Sequence, residues 1–98
     1  MIKSLPKVIA FEWDKGNVGK NFKKHNVSNQ EAEEIFLNKP LKIFADKKHS
    51  LLEKRFIAYG ITNAKRKLVI IFTLRKQKIR IVSARDQDRK ERRRYEEK

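Results

Sequence analysis

The chain has 98 residues, 39% of them hydrophobic and 39% charged, and its 26 Lys and Arg against 12 Asp and Glu give a formal net charge of +14. That length makes one domain, residues 1–98, with a core large enough to fold and small enough to be marginal. The lack of cysteine excludes a disulfide framework and a thiolate metal site. Two histidines, with no His/Asp/Glu cluster at ligand spacing, leave no metal and no cofactor expected.

The longest apolar run, Leu68 to Phe72, is too short to span a bilayer. The first residues, Met1 to Lys7, lack the apolar stretch of a signal peptide. A cytoplasmic protein with no membrane partner is the expectation.

Taken in chain order, Val8 to Trp13 reads as a short strand, and Asp14 is placed to cap the segment after it. Lys15 to His25 reads as a helix with Val18 and Phe22 four apart on one stripe, weakened by Gly16 and Gly19. Asn26 is a left-handed terminator. Ser28-Asn29-Gln30-Glu31 has the spacing of a capping box, flanked by Val27 and Ala32 as an apolar staple. Ile35 and Phe36 continue the buried face of this second helix, and Pro40 is expected to stop it.

Four strands come next: Leu41 to Ala45, Glu53 to Tyr59, Lys67 to Leu74 and Lys78 to Ala84. In the second, Glu53, Arg55, Ile57 and Tyr59 share one face. The third is nearly all apolar and therefore central. The fourth alternates Arg80, Val82 and Ala84 against Ile79, Ile81 and Ser83. Short polar connections at 60–66 and 75–77 make the last three an antiparallel meander. Asp86 to Lys98 is almost wholly charged, with Tyr95 its only large ring. It reads as a solvated helix capped by Asp86 or Asp88 that gains order from a partner.

From Lys54 to Arg85 there are 32 residues without a carboxylate, ten of them Lys or Arg. Strands send alternate side chains to opposite faces. A basic sheet can therefore bury one face and offer the other to a polyanion, of which nucleic-acid phosphate is the commonest. An acidic protein segment fits the same field.

Five pieces in register form a larger pattern: Phe11-Glu12-Trp13-Asp14, Lys24-His25-Asn26-Val27-Ser28, Glu53-Lys54-Arg55-Phe56, Ile79 to Arg85, and Glu91-Arg92-Arg93-Arg94-Tyr95-Glu96. In this order and spacing the chain resembles the BrnT family of bacterial type II toxin–antitoxin systems. The family commonly has Gly where this chain has Asn26, a change compatible with the same helix end. The resemblance implies an α+β, RelE-like fold: an antiparallel sheet of four to five strands, two N-terminal helices on one face and a charged C-terminal helix. It also implies a ribonuclease that inhibits translation and is neutralised by a DNA-binding, BrnA-like antitoxin. Toxin and antitoxin of the family form a hetero-oligomer that represses its own operon and reaches operator DNA through the antitoxin.

Metal-independent RNA cleavage needs a base for the 2′-hydroxyl, an acid for the leaving 5′-oxygen and cations around the phosphorane. The candidates are His25, Glu53, Arg55 and Arg80 as catalytic groups, with Lys24, Arg80 and Arg85 on RNA phosphates. Two readings stay open for most of them. Glu53 is a base, or an ion-pair partner that orients Arg55 or Arg80. His25 is an acid or base, or a helix C-terminal cap. Lys24 is a phosphate contact or a solvated helix residue. Arg80 and Arg85 offer a bidentate fork to phosphate, or pair with Asp86 or Asp88. His49 lies in a polar loop, where an inert role competes with catalysis. Trp13, Tyr59 and Tyr95 are read as core or partner packing residues in preference to platforms for RNA bases. The seven basic and five acidic residues of 85–98 favour local self-pairing over an RNA clamp.

Two rival functions remain: a non-catalytic basic RNA- or DNA-binding module, and a structural subunit of a repressor complex. For the antitoxin, an acidic, partly disordered segment lying over the basic face is the expected mode of neutralisation.

Overall fold

The structure is a computed structural model that describes residues 10–49 and 52–97. Its elements are α1 (Lys20–His25), α2 (Asn29–Glu34), β1 (Lys42–Asp46), a 3-10 turn (Lys47–His49), β2 (Arg55–Ile61), β3 (Lys67–Arg75), β4 (Lys78–Asp86) and α3 (Arg89–Glu96). The four strands form one antiparallel sheet in the order β1-β2-β3-β4. The expected α+β architecture is the observed one. At the hairpin between β3 and β4, Lys76 and Gln77 both have positive φ, 50° and 66°, as a two-residue turn matched to strand twist requires.

The N-terminal helices lie on one face of this sheet. Val27, Ala32, Ile35 and Phe36 pack there against Ile43, Ala58, Leu68, Ile70, Phe72, Ile79, Ile81 and Ala84. Gly60 of β2 makes the close approach possible: a Cβ there would stand 2.7 Å from Cβ of Ile35. The capping box forms as expected, Ser28 Oγ accepting from the Glu31 amide and Glu31 Oε1 from the Ser28 amide, each at 3.0 Å. Pro40 is not the stop, however. The helix ends at Glu34, and amides of Phe36 and Leu37 close tighter turns onto Glu33 and Glu34.

Strand β4 departs from simple alternation. Ile71 pairs with Ser83 while Phe72 pairs with Ile81, so a bulge at Val82 inserts one residue. Ala84 therefore turns inward with Ile79 and Ile81, and Arg80, Ser83 and Arg85 share the opposite face. The expected grouping of Arg80 with Val82 and Ala84 is corrected by that bulge.

The first helix is shorter than the sequence suggests. Asp14 Oδ1 accepts from the Gly16 amide and Asn17 Oδ1 from the Asp14 amide, both at 2.8 Å. These local bonds hold a turn that competes with helix, and Gly19 at φ 72° forces the helix to start after it. Asn26 ends α1 in the left-handed region, φ 56°, as anticipated.

The same segment seals the outer edge of β4. Ile79 exchanges backbone bonds with Ala10 and Glu12 around a parallel bridge to Phe11. Further along, Asn17 Nδ2 donates to the Ile81 carbonyl and Asn21 Oδ1 accepts from the Ala84 amide. This bridge is what the structure contains of the strand expected over 8–13; Val8 and Ile9 lie outside the described residues.

Helix α3 lies on the other face. Its capping box is Asp88 with Glu91. Tyr95, only 4% exposed, packs on Tyr59 and Val69 beside Phe44 and Ile57, and its hydroxyl donates to the Pro40 carbonyl at 2.6 Å. Lys42 Nζ donates to the Arg94 and Glu97 carbonyls at the helix end, and Arg94 stands 4.8 Å from the Phe44 ring centroid. The helix expected to be solvated is docked by its single aromatic. Among the described residues, no helix is long and apolar enough to cross a membrane.

Candidate functional site

The face of the sheet opposite α1 and α2 is built in cross-strand rows. One row joins Lys42, Tyr59, Val69 and Arg85; the next joins Phe44, Ile57, Ile71 and Ser83; a third joins Asp46, Arg55, Thr73 and Arg80. Helix α3 packs on the first row. The third, at the other end, carries the charge. Arg55 and Arg80 thus share one face, their backbones two strands and about 10 Å apart.

Around that row runs a continuous chain of ion pairs. Glu53 lies in the bend before β2, not on the strand as expected, and its two oxygens accept from Arg75 Nε and Nη2 at 2.8 and 3.1 Å. Arg75 Nη1 stands 3.7 Å from Glu12 Oε1. The same Glu12 oxygen accepts from Arg80 Nη1 at 3.0 Å. Asp14 then grips Arg80 in a fork, with Nη1 and Nη2 donating at 2.8 and 2.9 Å. The turn at Asp14 allows this because Gly16 has no side chain: a Cβ would meet Arg80 Nη2 at 2.8 Å.

Electrostatics follow from these bonds. The fork from Arg75 holds the Glu53 carboxyl below its ordinary value against the opposing effect of partial burial, and Arg80 and Arg55 add to the lowering from further away. The Arg80 hydrogen bond, then the Gly16 amide, do the same for Asp14. Arg75 and Arg80 are correspondingly raised by Glu53 and Asp14. On the floor of the row, the buried Thr73 hydroxyl has no hydrogen-bond partner among the described residues. A face with Arg55, Arg75 and Arg80 around that hydroxyl presents guanidinium groups of the kind that bind a phosphodiester, with a carboxylate at its rim. Among the described residues, no group of three or more His, Cys, Asp or Glu is gathered as for a metal ion.

The remaining candidates lie apart from this cluster. His25 ends α1, and its carbonyl accepts from Arg66 Nη2 at 3.4 Å; Arg66 in turn is forked to Asp86, the last residue of β4. Asp86 is six residues beyond Arg80, roughly 20 Å along the strand. The structure therefore does not bring His25 to Glu53, Arg55 and Arg80. Lys24 is exposed beside it in the last turn of α1. Arg85 is on the same face as Arg80; its carboxylate fork goes to Glu91 of α3 at 2.7 and 2.8 Å and not to the carboxylates of Asp86 or Asp88, while Nη1 also donates to the Asp86 carbonyl at 3.1 Å. The turn ending at His49 comes after β1 at the Asp46 end of the charged row; the His49 side chain lies outside the described residues.

Three members of the cluster are not among the site residues legible from sequence: Glu12, Asp14 and Arg75. Glu12 and Asp14 flank Trp13 at alternate positions, which is the signal that both leave the sheet on one side. Trp13 itself packs against the core and donates to Glu33 at 2.7 Å.

None of the curated proteins compared with the chain matches it significantly. Residues 13–91 match the family model described as the ribonuclease toxin, BrnT, of type II toxin–antitoxin systems. A type II toxin of this kind implies RNA as substrate and an antitoxin protein as partner. With most of its length covered by that match, and the fold and charged row as described, the chain belongs to the BrnT family of ribonuclease toxins.

Proposed function

We propose that Glu53, Arg55 and Arg80 form the reacting centre of a metal-independent endoribonuclease that cuts RNA in the cytoplasm and so blocks translation. Glu53 takes the proton of a 2′-hydroxyl as the new O2′–P bond forms. Arg55 and Arg80 stabilise the charge gathering on the phosphorane oxygens. The P–O5′ bond then breaks, the 5′-oxygen takes a proton from water in the open cleft, and the hydroxide left behind takes the proton from Glu53, leaving a 2′,3′-cyclic phosphate, a 5′-hydroxyl and the carboxylate restored. Guanidinium groups supply the positive charge that a metal would otherwise bring. The observation that carries this reading is the row that aligns Arg55, Thr73 and Arg80 with Glu53 at its rim. Lys24 and Arg85 are assigned to RNA phosphates well away from the scissile one, and His25 stands outside the reacting centre.

A DNA-binding, BrnA-like antitoxin neutralises the toxin by laying an acidic segment over this basic face. The hetero-oligomer represses its own operon, with operator DNA contacted by the antitoxin. The engagement of Glu53 by Arg75 favours one second reading, a non-catalytic phosphate-gripping module. Purified antitoxin-free protein separates the two: it is expected to cut RNA in EDTA. Glu53→Ala and Arg80→Ala should each abolish cutting with circular dichroism unchanged, while His25→Ala keeps cutting. Binding without cleavage in any buffer would support the second reading, and full cleavage by both cluster variants would remove the site assignment.

A further inference from the structure

We propose that Arg75 is a further substrate-binding residue and that it keeps Glu53 inactive until RNA arrives: a phosphate of the RNA takes the Arg75 fork and frees the carboxylate to act as base. The inference rests on the ribonuclease reading and adds how that site is switched on.

The geometry has three parts. Both Glu53 oxygens are occupied by one guanidinium, at 2.8 and 3.1 Å. A carboxylate held in this way has its best lone pairs taken and resists protonation, so it cannot remove a proton from a 2′-hydroxyl. Arg75 is 47% exposed at the end of β3, on the same face as Thr73 and beside Arg80. A phosphodiester arriving on the open face therefore reaches it. Phosphate and carboxylate compete for the same planar fork, since both present two oxygens at matching spacing. Glu12, 3.7 Å from Arg75 Nη1, keeps that side chain over the row while the fork changes partner.

Among the described residues, the cations that lower the Glu53 carboxyl are Arg75, then Arg80 and Arg55, with Glu12 across Arg75. Once Arg75 has turned to phosphate, the weaker, more distant pull of Arg80 and Arg55 remains, and the phosphate adds negative charge nearby. Both changes raise the proton affinity of Glu53, as a general base needs. No bond to hydrogen is made or broken in the switch itself; one ion pair is exchanged for another. Proton removal by Glu53 and transesterification come after that exchange. The pairing that blocks the base is on this account the resting state of the site.

The test tracks the Glu53 carboxyl carbon by NMR across pH, with and without a 2′-O-methyl RNA oligonucleotide that binds and cannot be cut. The free protein should titrate below the ordinary glutamate range, and saturation with the oligonucleotide should raise the midpoint by at least one pH unit. Kinetics supply a second reading from Arg75→Gln. The acid limb of kcat/KM, which reports the free enzyme, should move up by a unit or more, while the acid limb of kcat stays where it is because Arg75 has already left Glu53 in the complex. A merely structural arginine would shift both limbs together. An unmoved Glu53 midpoint in the saturated complex overturns the switch and leaves the ribonuclease reading standing. Undiminished cleavage by Glu53→Gln overturns both.

Discussion

Arg80 meets two carboxylates that precede it by 68 and 66 residues, Glu12 and Asp14. Its side chain is only 14% exposed while that of Asp14 is 54% exposed. The guanidinium is thus fixed in place by groups at the rim of the cleft. Fixing matters because a misplacement of about 1 Å can cost on the order of a hundredfold in rate. Asp14→Ala should therefore lower kcat/KM between about tenfold and a hundredfold with little change in melting temperature, since Glu12 still holds one nitrogen. Wild-type kcat/KM in that variant would show that Arg80 needs no anchor. At this scale the sequence is legible in part. Strand alternation puts Arg55 on the face that Arg80 joins, and this holds because the bulge at Val82 lies beyond Arg80; Glu53, expected on the same strand, reaches the row from the bend before it. Asp14 reads as a helix cap because Asp before a polar stretch has that local meaning, and its partner across the fold carries no local trace.

Among the elements, α3 shows most clearly what charge composition conceals. Five acidic residues in 85–98 suggest local self-pairing, and Glu91 does pair within that stretch, though with Arg85 of β4, while Glu96 reaches outside it to Lys67 of β3. The decisive residue is Tyr95, whose ring fills the space over Tyr59 and Val69. Tyr95→Phe keeps the ring and loses the bond to the Pro40 carbonyl, a cost of about 1 kcal/mol. Tyr95→Ala should cost roughly 3–5 kcal/mol, and hydrogen exchange should then show α3 amides unprotected while β3 stays protected. Equal stability of Tyr95→Ala and the native chain would mean α3 is not docked. The meander and the Ser28 capping box are readable because each is coded within a few residues. The length of α1 is not, since side-chain bonds of Asp14 and Asn17 override its helical stripe.

Over the whole molecule, excess positive charge is offset where elements meet. Arg66 ties Asp86 to Glu31 and to the carbonyls of His25 and Asn26. Hydrogen bonds from Arg66 hold Asp86 below the ordinary carboxylate range, and those from Arg85 do so for Glu91; for Glu31 the Ser28 amide leads and Arg66 adds to it. A carboxyl lowered by folding stabilises the folded state above its unfolded pKa, and that contribution disappears as pH falls through the folded value. Stability should accordingly hold from neutral pH down to about 5 and fall below about 4.5, where the charge on a chain already at +14 rises further. Urea midpoints at pH 7, 5 and 3 check this; a midpoint as high at pH 3 as at pH 7 would show that these pairs contribute nothing.

The central claim is that a carboxylate and converging guanidinium groups cut RNA through its own 2′-oxygen. End-group analysis of RNA cleaved by antitoxin-free protein in EDTA tests it most directly. The predicted products carry 2′,3′-cyclic phosphate and 5′-hydroxyl ends; 5′-phosphate and 3′-hydroxyl ends would contradict the account.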